Sequence, residues 1–404
     1  MVTVREVSGA ELKTTAHLLQ AYAFAAGPLP HPPPDASVED PEKRSGTTTL
    51  VAFDGDTPIA ATSAWPFVQN VRGAVVKCLG IAGVATHPGY RRGGHVRTLM
   101  VEQHRRGVEA GYAVAALYPF RPSFYAKFGY VGLPKARRIK LNTAGMAELL
   151  SLDLPVKVEL GRSGEEHIHD ASMAVEQQWL EGRHGFIKDT LSWVDEGIKE
   201  SDDRFVALCR RDGEPTGFWR FRTTGFSDVV KGDRMLVADP VSRLAMLKWL
   251  AGHVDQYAGF EFELPPGEVV ETWFTDVDHD DMSLTSVPGH NAPMARVLDL
   301  TALAGLVAGP AELTVDVVGD NDFPGNLSGT YHLDGRSGAL VLSEVTDPKG
   351  DVARLSVRAL SALVYCGQDP TELASRGLGT FPGTTAEAAI TLFPPVLPYL
   401  YRGF

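Results

Sequence analysis

Apolar and polar positions alternate from the start of the chain, and residues 2–7 read as a β-strand. Leu12, Ala16, Leu19 and Ala23 then recur at helical intervals, which predicts a helix over residues 11–26. Gly27 and the proline-rich run 28–34 end it. Two strand-like runs, 47–53 and 58–65, flank Asp54-Gly55-Asp56-Thr57, a hairpin signal. Residues 75–86 form another strand, 97–110 a helix stopped by Gly111, and 112–118 an almost uncharged strand of the kind buried on both faces. This order predicts a mixed sheet with helices packed on it.

The middle of the chain repeats the mixture. Strands are expected at 204–210 and 217–223 around the turn Arg211-Asp212-Gly213-Glu214-Pro215. A strand at 233–238 leads through Asp239-Pro240 into a helix over 242–257. Strand, turn and helix thus recur in their earlier order, without an arginine–glycine loop between them. The last third differs: strand then helix over 294–307, short strands at 313–318, 329–333 and 339–345, and then two helical stretches. The expectation is an α+β chain with units at 1–140, 141–290 and 291–404.

Composition narrows the function. The 404 residues carry a formal net charge of −12, which argues against a general nucleic-acid binder. Cys78, Cys209 and Cys366 stand far apart, with neither a zinc-ribbon spacing nor a disulfide framework. No secretory signal and no membrane-length apolar run is visible, so a cytoplasmic protein is expected. His167-x-His169 and the acidic run 276–281 have metal-ligand residue types without supporting partners, and no metal is expected. The tryptophans at 179, 193, 219, 249 and 273 are expected to fill the central core.

One segment carries chemistry. The strand ending in Val84-Ala85-Thr86 runs through His87-Pro88-Gly89-Tyr90 into Arg91-Arg92-Gly93-Gly94-His95-Val96 and an amphipathic helix. A helix start presents unpaired N–H groups and the positive end of its dipole. Glycine lets the backbone approach an anion, and arginine adds bidentate bonds to phosphate oxygens. The segment predicts a diphosphate site. Neither G-x-x-x-x-G-K-[ST] nor G-x-G-x-x-G is satisfied there.

Strand, Arg91-x-x-Gly94 and helix resemble the acetyl-CoA signature of the GNAT acetyltransferases, with Val96 where that pattern ends in Gly or Ala. The strand 113–118 and Ser123-Phe-Tyr-Ala-Lys-Phe-Gly-Tyr130 resemble the family's next strand and turn. Within that superfamily, residues 82–92, Phe124 to Tyr130, the total length and the terminal Phe404 resemble the Eis acetyltransferases. The resemblance implies a catalytic GNAT domain, a second GNAT-like domain without a cofactor site, and a sterol-carrier-protein-like C-terminal domain. It also implies homo-hexamers that acetylate amines, among them aminoglycosides and lysine side chains.

The same resemblance assigns roles. Acetyl-CoA would lie along Val84, Ala85 and Thr86, with its phosphates on Arg91, Arg92, Gly93, Gly94, His95 and Val96. Tyr125 would be the general acid, since a phenol stays protonated at neutral pH. The terminal carboxylate of Phe404 would be the base. Eis enzymes that take polycations line the pocket with acids, whereas residues 22–27 hold none and Gly403 precedes Phe404, which argues against aminoglycosides. His31 and Glu39 are expected to be solvated loop residues. The competing reading is a lipid-binding protein with a vestigial acyltransferase domain.

Overall fold

Two tight turns build the first sheet. Gly55, at φ +59°, reverses the chain between β2 (Thr48–Asp54) and β3 (Thr57–Val71). Arg72 and Gly73 reverse it again into β4 (Ala74–Thr86), both with positive φ, as a two-residue hairpin turn of matching twist requires. β1 (Val2–Val7) adds to the edge of β2. β3 is longer than the expected 58–65, because its second half is buried under later parts of the chain. The computed structural model describes residues 2–24, 46–190, 204–223, 225–275, 282–287, 291–319 and 327–401.

The helix expected over 11–26 is two pieces, α1 (Glu11–Thr14) and α2 (Ala16–Phe24). Thr15 breaks it at φ −120°, ψ −91°, and its hydroxyl donates to the Glu11 carbonyl at 2.7 Å, a side-chain bond that competes with helix continuation. α3 (His95–Glu109) begins two residues earlier than expected and turns Leu99, Met100, Gln103, His104 and Gly107 inward. Ion pairs among Glu102, Arg105 and Arg106 hold its outer face. β5 (Val114–Leu117) then runs parallel to β4, followed by α4 (Pro122–Tyr125) and β6 (Val131–Gly132).

The middle of the chain forms a second sheet from β7 (Arg137–Asn142), β8 (Lys157–Arg162), β10 (Phe205–Arg211), β11 (Glu214–Arg222), β12 (Val229–Arg234), β13 (Leu236–Val237), β14 (Gly259–Leu264) and β15 (Met282–Ser286). α5 (Glu166–Gly182) packs on it, while the short β9 (Ile187–Asp189) crosses back to pair with β3. The strand expected over 233–238 is split at Met235. The helix expected over 242–257 is α6 (Pro240–Ala251), started by the Asp239 cap and by proline at its first position. Sheet order β15-β7-β14-β12-β11-β10-β8 places the parallel pair β12/β14 centrally, as β4/β5 are placed in the first sheet.

β16 (Met294–Val297), expected to open the third unit, lies instead between β5 and β6 of the first sheet. All four of its residues are buried, which an isolated short strand cannot achieve. The helix expected after it is a single turn, Thr301–Leu303. A third sheet follows: β17 (Glu312–Val318), β18 (Gly329–Asp334), β19 (Val341–Glu344), β20 (Ala353–Ser356) and β21 (Gly379–Thr380). α7 (Val357–Cys366), α8 (Pro370–Ser375) and α9 (Thr385–Leu392) accompany it. One apolar cluster runs from Phe67 and Val114 in the first sheet to Leu355 in the third and Leu363 on α7.

Candidate active site

Pairing between β4 and β5 ends at Ile81 and Leu117. β4 continues to Thr86 beside β3 alone, so a gap opens between the two parallel strands. A β-bulge sits at the opening: Ala61 faces Ala85 and Ser63 faces Ala82, leaving Gly83 and Val84 opposite one residue. Gly83 takes φ +59°, and a Cβ there would meet Gln20 Nε2 at 2.2 Å. That amide, on α2, donates to the Gly83 carbonyl at 3.0 Å and braces the bulge. Beyond it, the His87 N–H donates to the Ile59 carbonyl. Strand alternation therefore turns the N–H of Thr86 the other way, into the gap.

The arginine–glycine loop closes one end. His87 caps a single turn, Pro88–Tyr90, by accepting the Gly89 N–H on Nδ1 at 3.2 Å. Arg92 at φ +67° and Gly94 at φ +81° then wind the backbone into α3. A left-handed arginine is uncommon and costs on the order of 1 kcal/mol. No side chain caps α3, so its first turn still offers N–H groups that helix geometry leaves without intrahelical partners. Arg91 and Arg92 are exposed and have no carboxylate partner among the described residues. This is a phosphate-shaped start to a helix.

Tyr125 forms the opposite wall, 3% exposed at the end of α4. Phe120, Phe124 and Tyr130 meet its ring edge-on, at centroid distances of 5.6, 5.1 and 6.2 Å. Burial raises its pKa well above the usual phenol value, so it stays protonated. Its hydroxyl has no hydrogen-bond partner among the described residues. Tyr125 shares one apolar cluster with Val84, Val96 and Leu117, so the structure joins strand end, helix start and tyrosine turn. Arg296, 2% exposed on β16, donates to the Phe128 carbonyl and fixes that turn from behind.

Phe404, Gly403, His31, Glu39, Trp193 and the run 276–281 lie outside the described residues. The approach to the terminus is described. Tyr399 donates its N–H to the His184 carbonyl, and Tyr401 stacks on Phe186 with centroids 4.6 Å apart and donates to Glu176. Leu400 offers its carbonyl to the Tyr118 hydroxyl at 3.5 Å. Tyr118 directly follows β5, so the last described residues sit at the mouth of the gap. Tyr118, Gln20 and Gly83 were missed in the sequence. Only Gly83 carried a signal, as a glycine inside a strand pattern.

Other expected features sit elsewhere. His167 meets Glu159 at 2.9 Å, and no group of three or more metal-ligand side chains occurs among the described residues. No helix among them is long and apolar enough to cross a membrane. Trp219 and Trp273 are buried in the core of the second sheet, with Trp249 half-buried against it and Trp179 half-buried against a neighbouring cluster; Trp179 and Trp273 also line a cavity.

A strand pair that opens beside an uncapped helix start, with arginines on the connecting loop, makes a slot with an anion-binding end. Residues 3–132 match the family described as acetyltransferase (GNAT) domain, and over them the chain carries a GNAT-type N-acetyltransferase domain. An uncharacterised N-acetyltransferase of Streptomyces coelicolor is 26% identical over 374 residues, 87% of each chain. The N-acetyltransferase Eis of Mycobacterium tuberculosis is 41% identical over 103 residues, 22% of this chain and a quarter of that protein. The fold is shared end to end with a GCN5-related N-acetyltransferase of Kribbella flavida (TM-score 0.81, 23% identity, 100% of this chain and 99% of that one). It is also shared with Eis1 of Mycobacterium abscessus (TM-score 0.77, 16% identity, all of both chains).

Proposed function

We propose that the protein moves the acetyl group of acetyl-CoA directly to a primary amine within a ternary complex. The observation that carries this reading is the gap between β4 and β5, flanked by the α3 start at one end and Tyr125 at the other. The first-turn N–H groups of α3, with Arg91 and Arg92, hold the diphosphate. Backbone groups of the strand end Val84-Ala85-Thr86 pair with the pantetheine arm and polarise the thioester carbonyl. The amine nitrogen bonds to the carbonyl carbon as the C–S bond breaks. Tyr125 gives its proton to the leaving thiolate, and the Phe404 carboxylate receives the amine's proton directly or through one water.

The position of the tail supports the last role. Three residues separate Leu400 from Phe404, and extended chain spans roughly 3.3–3.6 Å per residue, so the terminus is within reach of the gap from Tyr118. The third sheet with α7–α9 is read as the sterol-carrier-like module, and the middle sheet as a GNAT-like unit that has lost its cofactor loop.

The test is a thiol-release assay with acetyl-CoA across aminoglycosides, polyamines, lysine peptides and arylamines. Release stimulated by one amine class supports the reading; no amine-dependent release from any class overturns it. A chain extended beyond Phe404 should bind acetyl-CoA normally and turn over at least about tenfold more slowly. Unchanged turnover removes the terminal carboxylate from the mechanism.

A further inference from the structure

The second sheet has its own opening between parallel strands, and it is not empty of chemistry. β12 and β14 stay together as far as the Met235 N–H, which donates to the Glu263 carbonyl. They then separate. α6 starts just past the opening, as α3 does in the first sheet, but its start is sealed by the chain itself. Asp239 accepts the Ser242 N–H at 2.9 Å and receives Arg211 on both oxygens at 2.8 and 3.0 Å. A carboxylate of the protein thus stands where an anion would bind, and a diphosphate is shut out.

Below this seal lies a cavity of about 410 Å³, lined among others by Trp179, Arg183, Met235, Arg243, Leu264 and Trp273. That volume falls within the roughly 300–1,000 Å³ typical of small-molecule sites. Its unsatisfied polar groups are all donors. The Nε–H of Arg183, the Nε–H of Arg243 and the indole N–H of Trp179 are buried without a hydrogen-bond partner. They lie behind the cavity wall, where leaving a donor unpaired is costly, and the outer ends of the two guanidiniums are what the lumen meets.

The charges agree. Of the acids at the rim, Asp239 is held by Arg211, and Glu268 pairs with Arg243 at 3.3 Å. Arg183 donates to the Pro266 carbonyl at 3.2 Å and lies over the Trp179 ring at 6.0 Å. It has no carboxylate partner among the described residues. The lining holds two arginines and two carboxylates; Arg211, outside it, neutralises Asp239 and Glu268 neutralises Arg243, so the charge of Arg183 is left over. The remaining walls are flat and apolar: two indoles, Met235 and Leu264.

We propose that this cavity is a second ligand site, for a small organic anion with an apolar body, of the aryl- or alkyl-carboxylate class. The carboxylate would sit between the guanidinium groups of Arg183 and Arg243, with its body against the two indoles. The site is built on the second sheet and does not depend on how the first one works.

Calorimetric titration of the full chain tests this, with 2-naphthoate as probe and 2-naphthalenemethylamine and 2-naphthalenemethanol as controls. Naphthoate should bind once per chain, at least about tenfold more tightly than either control. Arg183→Gln and Arg243→Gln should each weaken it by about tenfold or more, while Arg92→Gln, on the other sheet's loop, leaves it unchanged. Gly182→Leu provides an obstruction that keeps both arginines, since a Cβ there meets nothing within 4 Å and the side chain grows at the rim. It should abolish binding, and it decides the matter if the arginine variants do not fold. No naphthoate binding at millimolar concentration, equal binding of the controls, or full binding by Gly182→Leu would each overturn the proposal.

Discussion

The backbone N–H of Arg72 donates to Nδ1 of His184 at 2.9 Å, and Nε2 of the same ring reaches the Tyr365 carbonyl at 2.8 Å. One imidazole from the middle of the chain thereby joins the β3–β4 turn to α7. Nδ1 faces a fixed donor, so the ring must be neutral with its proton on Nε2. The Arg72 side chain completes the joint by donating to the carbonyls of Val364, Leu363 and Pro394.

His184 predicts a pH dependence of stability. Burial, then the nearby charges of Arg72 and Arg183, lower its pKa to about 4, against 6.5 in the unfolded chain. Below about pH 6.5 the unfolded chain takes up a proton that the folded chain refuses, so stability falls with pH down to about 4. The loss amounts to about 3 kcal/mol. His184→Gln should lower the melting temperature at pH 8 and flatten its decline between pH 7 and 4. A parallel decline in wild type and variant would rule out this histidine as the source.

Gly94 isolates a backbone requirement at the cofactor loop. A Cβ there meets nothing within 4 Å, yet φ is +81°. Gly94→Ala should therefore cost about 1 kcal/mol of local strain and raise KM for acetyl-CoA severalfold with kcat nearly unchanged. Gly94→Asn, which tolerates left-handed backbone better, should recover part of that loss. Initial-rate kinetics with varied acetyl-CoA distinguish the two.

Gly83 should behave oppositely. Its missing Cβ makes room for Gln20, and its bulge sets the direction of the strand end at the reacting carbonyl. Gly83→Ala should lower kcat by about tenfold or more, because small misplacements at the reacting centre are expensive. Gln20→Ala should do the same to a lesser degree while retaining acetyl-CoA binding in a thermal-shift assay.

Tyr125→Phe removes a hydroxyl that bonds to none of the described residues, so the fold should not notice. Turnover should fall by about a hundredfold with KM values little changed, the range expected for losing a general acid. A drop in melting temperature matching the loss of rate would instead mark Tyr125 as structural.

β1 to β5 of the first sheet were legible because they follow one another in sequence and the β2–β3 and β3–β4 turns are signalled by glycine, whereas β9 and β16 join it from far along the chain. Arg91 to Val96 could be read because an anion-binding helix start uses local chemistry alone. What escaped depends on distance along the chain. Nothing around Thr15 shows that its hydroxyl will interrupt a helix, and Gln20 gains meaning only beside Gly83. Tyr118 gains its own only beside Leu400. The tryptophans were legible as core residues, but not the cavity between Trp179 and Trp273, which belong to elements far apart along the chain.

β16 has a consequence for how the protein is made. Its partner β5 emerges from the ribosome with Leu117, whereas β16 begins at Met294. At about 5–20 residues per second, the buried edge of β5 waits roughly ten to thirty-five seconds for its neighbour. Until then the nascent chain carries a half-built sheet whose exposed backbone could pair with that of another ribosome's product. Completing the first sheet with a strand from so far along the chain makes the interval before residue 294 the period when a chaperone would matter most.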